Sequence, residues 1–264
     1  MQPLLLAALN VDPPEGSAGL AGAIVRETLL AGGQACRPLI AREGLSAVLV
    51  EPAVKLLQDN GASVRLGHEL RAFAMSSDRV GALNFGSGDE ITIGPDDCVI
   101  MAVPPRAAAS LLRGLKTPTE FRAIVNAHFR YDPPPGAAPI LGVIGGTVEW
   151  LFAFPQRLSV TISNGDRLVD APREELARTI WRDVCAAAGL PAQAAADLPP
   201  WQIVRERRAT FAATPAQNAL RPGPVTSAKN LFLAGDWTDT GLPATIEGSV
   251  RSGDRAADLV LGLR

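Results

Sequence analysis

The chain has 264 residues, 47% of them hydrophobic and 20% charged, a balance that allows one large or two smaller buried cores and excludes a disordered chain. Its 25 basic and 27 acidic residues give a formal charge of -2, with no dense Lys/Arg run, so nucleic-acid binding is not expected. Cys36, Cys98 and Cys185 suggest neither a disulfide framework nor a zinc knuckle, and His68 and His128 lack a second ligand at helical spacing, so a reducing cytoplasm fits and no metal site is expected.

The opening Pro3-Leu4-Leu5-Leu6-Ala7-Ala8-Leu9 is apolar but has no basic lead, and Asn10-Val11-Asp12-Pro13-Pro14 breaks it without a small-residue cleavage pattern. A buried helix end is expected, not a signal peptide. No stretch approaches the roughly 18 uninterrupted apolar residues that span a bilayer, so membrane contact is expected to be peripheral at most, at the inner face. Leu20, Ile24, Val25 and Leu29 recur at helical spacing over residues 17–30, and Gly32-Gly33 stops them. A second amphipathic helix is expected over residues 45–60, with Asn60-Gly61 as its left-handed stop. Residues 64–66, 69–75, 80–85, 91–93 and 98–103 then read as short strands divided by polar turns. The last, Cys98-Val99-Ile100-Met101-Ala102-Val103, is apolar throughout, the pattern of a strand buried on both faces, and Pro104-Pro105 ends it.

Residues 106–125 read as helical, with a break around Gly114 and Thr117-Pro118. Residues 148–154 and 158–163 form an expected hairpin around Pro155-Gln156-Arg157, whose Trp150, Phe152 and Phe154 would wall an apolar pocket or fill a core. Residues 173–188 carry Leu176, Ile180, Val184 and Ala188 at intervals of four, acidic residues in the first turn and Gly189 past the end, the signature of a helix. A strand over residues 201–207 and a polar loop over residues 214–230 follow.

Leu231-Phe232-Leu233-Ala234-Gly235-Asp236 reads as a buried strand ending in a glycine and a carboxylate, and Pro243-Ala244-Thr245-Ile246-Glu247-Gly248 opens a helix of small residues. In open α/β sheets ligands sit beyond the carboxyl ends of strands, where the Asp236 carboxylate would accept hydroxyl hydrogens of a sugar or ribitol. The first amides of the following helix, with the positive end of its dipole, suit an atom that becomes negative, such as the N1/C2-oxygen edge of a reduced flavin. The competing reading of Gly235-Asp236 alone is an ordinary turn.

Leu231 through Thr238, continued by Gly241 through Gly253 and Ala256-Ala257, resembles the C-terminal FAD motif of the phytoene desaturase, protoporphyrinogen oxidase and amine oxidase superfamily. The resemblance implies FAD as cofactor. It implies that Gly235 and Asp236 meet the ribityl chain or adjacent phosphate, and that Pro243, Ala244, Thr245 and Ile246 lie against the isoalloxazine, the last two by their backbone. Gly61 through Arg71 and Asp97 through Pro105 also resemble stretches of that superfamily, implying an adenine contact at Leu70 and a strand through Val103 that returns to the nucleotide fold. Pro3 through Asn10 and Arg37 through Ser46, leading into Glu51-Pro52-Ala53, are similar to its hydroxysqualene dehydroxylase branch. That resemblance implies removal of a hydroxyl from a lipophilic isoprenoid substrate in hopanoid biosynthesis, hydroxysqualene giving squalene at the expense of FADH2. Carotenoid desaturase and amine oxidase share the Gly-Asp motif and stay open as alternatives, and a non-catalytic, partner-binding subunit is the reading from another class.

The implied fold is mixed α/β, of the α+β kind: the C-terminal part of a Rossmann-like FAD-binding domain with a sheet-and-helix substrate domain. Residues 1–60 are expected as the helical part of the substrate domain, 61–105 as FAD-domain strands, 106–210 as substrate domain, and 211–264 as the C-terminal FAD-binding strand and helix. No strand, G-x-G-x-x-G and helix follow one another in the sequence, and Gly142-Val143-Ile144-Gly145-Gly146 has the wrong spacing for a pyrophosphate loop. A truncated or split chain is therefore expected, complemented by an N-terminal FAD-binding fragment. No carboxylate or histidine stands in a motif that makes it a catalytic acid, and each reads as a surface or structural group.

Overall fold

The computed structural model describes residues 2–262. Helix α1 (Gln2–Leu9) and helix α2 (Ala18–Glu27) open the chain, and Ser17 caps the second by accepting the Leu20 N–H. Their apolar faces bring Leu9, Leu20 and Ile24 into one core with Val80, Met101, Phe211, Leu231, Leu233 and Trp237. A π-helical turn, Ser46–Val50, runs into α3 (Glu51–Asp59), and Gly61 ends it in the left-handed region as the sequence suggests. No residue between 28 and 66 is buried.

Strands β1 (Leu70–Ser76), β2 (Arg79–Phe85) and β3 (Glu90–Thr92) form an antiparallel meander in that order. Residues 64–66 are not the strand expected of them, because no strand among the described residues offers them a ladder and Leu66 stands 90% exposed. Strand β4 (Val99–Met101) leaves the meander and pairs in parallel with β10 (Leu231–Leu233). It is shorter than expected and buried on one face only: Met101 is inside, whereas Ile100 is 42% exposed, since no third layer covers that side among the described residues.

Helix α4 (Pro105–Leu111) does not resume after its break as expected: residues 121–125 are not helical but begin β5 (Phe121–Phe129). There Ala123, Val125, Ala127 and Phe129 are buried while the residues between them are not, the period of two that a half-buried strand requires. With β6 (Ile140–Gly142), β7 (Trp150–Phe154), β8 (Arg157–Ile162) and β9 (Trp201–Phe211) it builds an antiparallel sheet in the order β6-β7-β8-β5-β9. The β7–β8 hairpin turns through Pro155 and Gln156, the latter at φ 59°. Helix α5 (Arg173–Ala188) lays Leu176, Ile180, Trp181 and Val184 against Val125, Phe129, Val160 and Ile203 of this sheet. The short α6 (Pro215–Asn218) interrupts the expected polar loop, and α7 (Ile246–Gly262) closes the described chain. No helix among the described residues is long and apolar enough to cross a membrane.

One residue at the end of α1 ties these parts together. Asn10 is 2% exposed and left-handed at φ 53°. Its amide nitrogen donates to Thr210 Oγ1 at 2.9 Å and to the Arg122 carbonyl at 3.3 Å, and its Oδ1 accepts the Asn164 N–H at 2.6 Å. Asparagine tolerates that backbone better than other non-glycine residues, and its carboxamide satisfies groups on β5, β9 and the end of β8. Asn10→Ala is expected to cost about 2–4 kcal/mol, the sum of backbone strain and stranded polar groups. Asn10→Gly relieves the strain but not the lost bonds, so its urea midpoint should fall between those of the other two proteins, with unchanged slopes.

Candidate functional site

The parallel pair β4 and β10 sends both carboxyl ends toward one cavity of about 430 Å3, lined by Val103, Gly235 and Asp236, by Ser249, Ser252 and Gly253 of α7, and by Arg208 and Thr210 of β9. Such a crevice beyond parallel strand ends is where open α/β sheets bind ligands. Gly235 makes the turn out of β10 at φ 134°, and a Cβ there would lie 2.7 Å from Trp237 Nε1. The indole needs that space, because its Nε1 donates to the Val103 carbonyl at 2.9 Å and so ties the ends of the two strands. The Gly235 N–H donates to Ser252 Oγ at 2.7 Å, which in turn donates to the Ser249 carbonyl at 2.6 Å, docking α7 on the strand end.

Asp236 faces this cavity without any side-chain donor to its carboxylate among the described residues. Burial raises its pKa, while the Arg221 charge and the N–H groups of Trp237 and Asp236 itself pull the other way. A half-desolvated carboxylate short of donors is a receptor for hydroxyl hydrogens. The wall opposite is made of small residues, and a Cβ at Gly253 would meet nothing within 4 Å. At the mouth of α7, Thr245 Oγ1 accepts the Gly248 N–H at 3.0 Å, while the Ile246 and Glu247 amides precede any acceptor the helix can supply. These features fit a polyol chain joined to a planar ring that gathers negative charge.

Of the residues singled out by sequence, the cavity therefore unites Val103, Gly235 and Asp236. Pro243, Ala244, Thr245 and Ile246 form the turn into α7 and do not line it; Ile246 is exposed, and Ala244 packs on the core beneath. Leu70 stands at the start of β1 opposite Phe85, outside the cavity. His128 lies on β5 with Nδ1 at 2.9 Å from Ser159 Oγ, and burial lowers its pKa. His68 packs edge-on against Phe85. Sequence reasoning missed Arg221, whose guanidinium underlies the Asp236 loop; its signal was that it is the lone charge between Arg208 and Lys229.

A family model described as flavin containing amine oxidoreductase matches residues 1–261. Hydroxysqualene dehydroxylase of Sinorhizobium fredii is 77% identical over 261 residues, covering 99% of this chain and 61% of the relative. The enzyme of the same name from Rhodopseudomonas palustris is 77% identical over 259 residues, covering 98% of this chain and 61% of the relative. The present chain thus spans about 61% of the length of these curated relatives. Among solved structures, an oxidoreductase from Methanosarcina mazei superposes with a TM-score of 0.73 at 14% identity, covering 97% of this chain and 63% of that one, a likeness of fold. With a family match along nearly all its length and a strand-end carboxylate sharing its cavity with Ser249, Ser252 and Gly253 of α7, this chain belongs to the flavin containing amine oxidoreductases, a family whose cofactor is a flavin.

Proposed function

We propose that the flavin is FAD, and that this chain is part of an FAD-dependent oxidoreductase that reductively removes the hydroxyl of hydroxysqualene to give squalene. The observation that carries the reading is 77% identity to two hydroxysqualene dehydroxylases across essentially the whole chain. Asp236 would accept ribityl hydroxyls, Gly235 would let the polyol approach the strand end, and the Ile246 and Glu247 amides would face the electron-rich edge of the ring. Reduced flavin, when bound, would supply a hydride to the carbon that loses the hydroxyl and a proton with which that hydroxyl leaves as water, the flavin ending oxidised. The protein's share is to hold, orient and exclude water.

An apolar isoprenoid needs an apolar wall. A second cavity, about 660 Å3, lies where Pro38 and Ile40 meet Pro139, Ala153, Phe154 and Pro155, with Arg42 and Glu43 at its side. Phe154 stacks on Phe152 with ring centroids 6.3 Å apart, and Arg157 Cζ lies over the Phe154 ring, 4.7 Å from its centroid. This cavity joins the arm similar to the dehydroxylase branch to the aromatic hairpin, which favours a long lipophilic substrate over a small amine. An N-terminal FAD-binding fragment is the proposed partner, its contact supported by the uncovered Ile100 side of β4. Peripheral contact with the inner face of a membrane, from the cytoplasm, is proposed for delivery of the substrate.

The test is incubation of the purified chain, alone and with such a fragment, with reduced FAD and hydroxysqualene under anaerobic conditions. Squalene formation is expected at least with the fragment present. Turnover of phytoene or of an amine, with hydroxysqualene untouched, would replace this reading with the desaturase or amine oxidase one. A well-folded protein that retains no flavin and turns over none of the three would support a partner-binding role.

A further inference from the structure

Arg221 lies in the irregular stretch between α6 and β10 and is 7% exposed. Its Nη2 donates to the carbonyls of Asp236 at 3.2 Å and of Thr238, and to Thr240 Oγ1 at 3.2 Å. Its Nε reaches the Trp237 carbonyl at 3.4 Å, its Nη1 donates to Asn218 Oδ1 at 3.0 Å, and its plane covers the Phe211 ring with Cζ 4.8 Å from the centroid. A buried guanidinium is costly unless its donors are taken up. Here Nε and Nη2 are taken up by one loop, the segment that carries Asp236, and Nη1 by Asn218, with no carboxylate in ion-pair contact among the described residues. Burial pulls its pKa below the ordinary value, Asp239 and Asp236 favour its charge, and Arg255 opposes it from α7.

The neighbouring residues extend the same grip. The Pro222 carbonyl accepts the Asp239 N–H at 2.8 Å. Gln217 Oε1 accepts the N–H groups of Thr119 and Glu120 at 2.8 and 3.2 Å, just before Phe121. Phe121, Phe211 and Asp236 all line the strand-end cavity. One short segment, residues 214–222, therefore clasps both the entry to β5 and the exit from β10.

We infer that Arg221 is a positioning residue, which sets the Asp236 loop in the geometry that receives the polyol of the cofactor. The inference rests on the flavin reading of this cavity. Lysine cannot replace the arginine, since its three donors radiate from one point and it has no planar face to lay on Phe211.

The experiment compares wild type, Arg221→Lys and Arg221→Met by FAD titration, followed by fluorescence quenching, and by hydrogen exchange of the segment around 235–240 and of α5. Both variants are expected to bind FAD about tenfold or more weakly, equivalent to about 1.4 kcal/mol, with the lysine giving no rescue. Exchange should quicken in the loop and stay unchanged in α5. FAD affinity of Arg221→Lys within about twofold of wild type would overturn the inference, as would unaltered loop exchange or a rise shared equally by α5. Should wild type bind no FAD either alone or with the N-terminal FAD-binding fragment, the flavin reading fails; the hold on the loop is then decided by exchange alone, supported by a rise confined to the loop and overturned by any other pattern.

Discussion

Gly235→Ala is expected to destabilise the chain by about 3–5 kcal/mol and to abolish flavin binding, the largest effect of any single methyl group in the site. Two costs combine. At φ 134° an L-residue is strained whatever space surrounds it, and the added Cβ would sit 2.7 Å from Trp237 Nε1 and 2.9 Å from its Cδ1. The backbone cannot yield, because the Gly235 N–H is held by Ser252 and its carbonyl accepts from Thr238 Oγ1 at 2.8 Å. The indole must therefore move, and it is 2% exposed and bonded to Val103. Its departure opens the junction of β4 and β10, where the cavity begins. Against a total stability on the order of 5–15 kcal/mol, such a loss is readable as a large fall in urea midpoint. Trp237→Leu in the same chain should return part of the loss by giving the methyl room, so the double-mutant cycle should show a clear coupling energy. Additive effects, or a Gly235→Ala protein as stable as wild type, would refute the account.

Local pattern was legible wherever one segment settled its own structure. Helix α5 begins and ends where its four-residue apolar rhythm, acidic first turn and Gly189 place it, and the strand-glycine-carboxylate-helix order around Asp236 stands as read. Strand β5 was misread because Thr117-Pro118 and the alanines before it suggest a broken helix, although Ala123, Val125, Ala127 and Phe129 alternate in plain view. Residues 64–66 failed for the opposite reason: local strand propensity counts for little without a partner ladder. Cys98 to Val103 showed an apolar strand but not which faces would be covered, since burial is decided by layers far away in sequence. The clasp at Gln217 and Arg221 had no local signature beyond Arg221 being the lone charge between Arg208 and Lys229, because Gln217 acts on Thr119 across 98 residues. Periodicity reports one element against an average surrounding, whereas the walls of this site are set by side chains that cross between elements.

Asp236→Asn is expected to move two observables in opposite directions, weakening FAD binding by about 10- to 100-fold while raising the thermal midpoint of flavin-free protein at neutral pH. The first follows from losing the charge that strengthens the hydrogen bonds accepted from cofactor hydroxyls. The second follows from the pKa. Burial lifts Asp236 above its ordinary 3.8 in the folded chain despite Arg221, so the ionised form is disfavoured by folding. For a carboxyl shifted upward, this penalty is full above the folded pKa and vanishes below the unfolded one, since the folded state then takes up its proton first. The stability advantage of the asparagine protein should accordingly be present at pH 7 and disappear as the pH falls toward 3.8. Partial loss of compensation for Arg221, which also faces Asp239, reduces the gain without reversing it. Melting curves at neutral and acidic pH, paired with FAD titrations of both proteins, measure both effects. A lower melting point at pH 7 with undiminished FAD affinity would mean that the carboxylate serves the fold and not a ligand. A functional group held against the preference of its surroundings leaves the reverse mark, stability gained and binding lost in the same substitution.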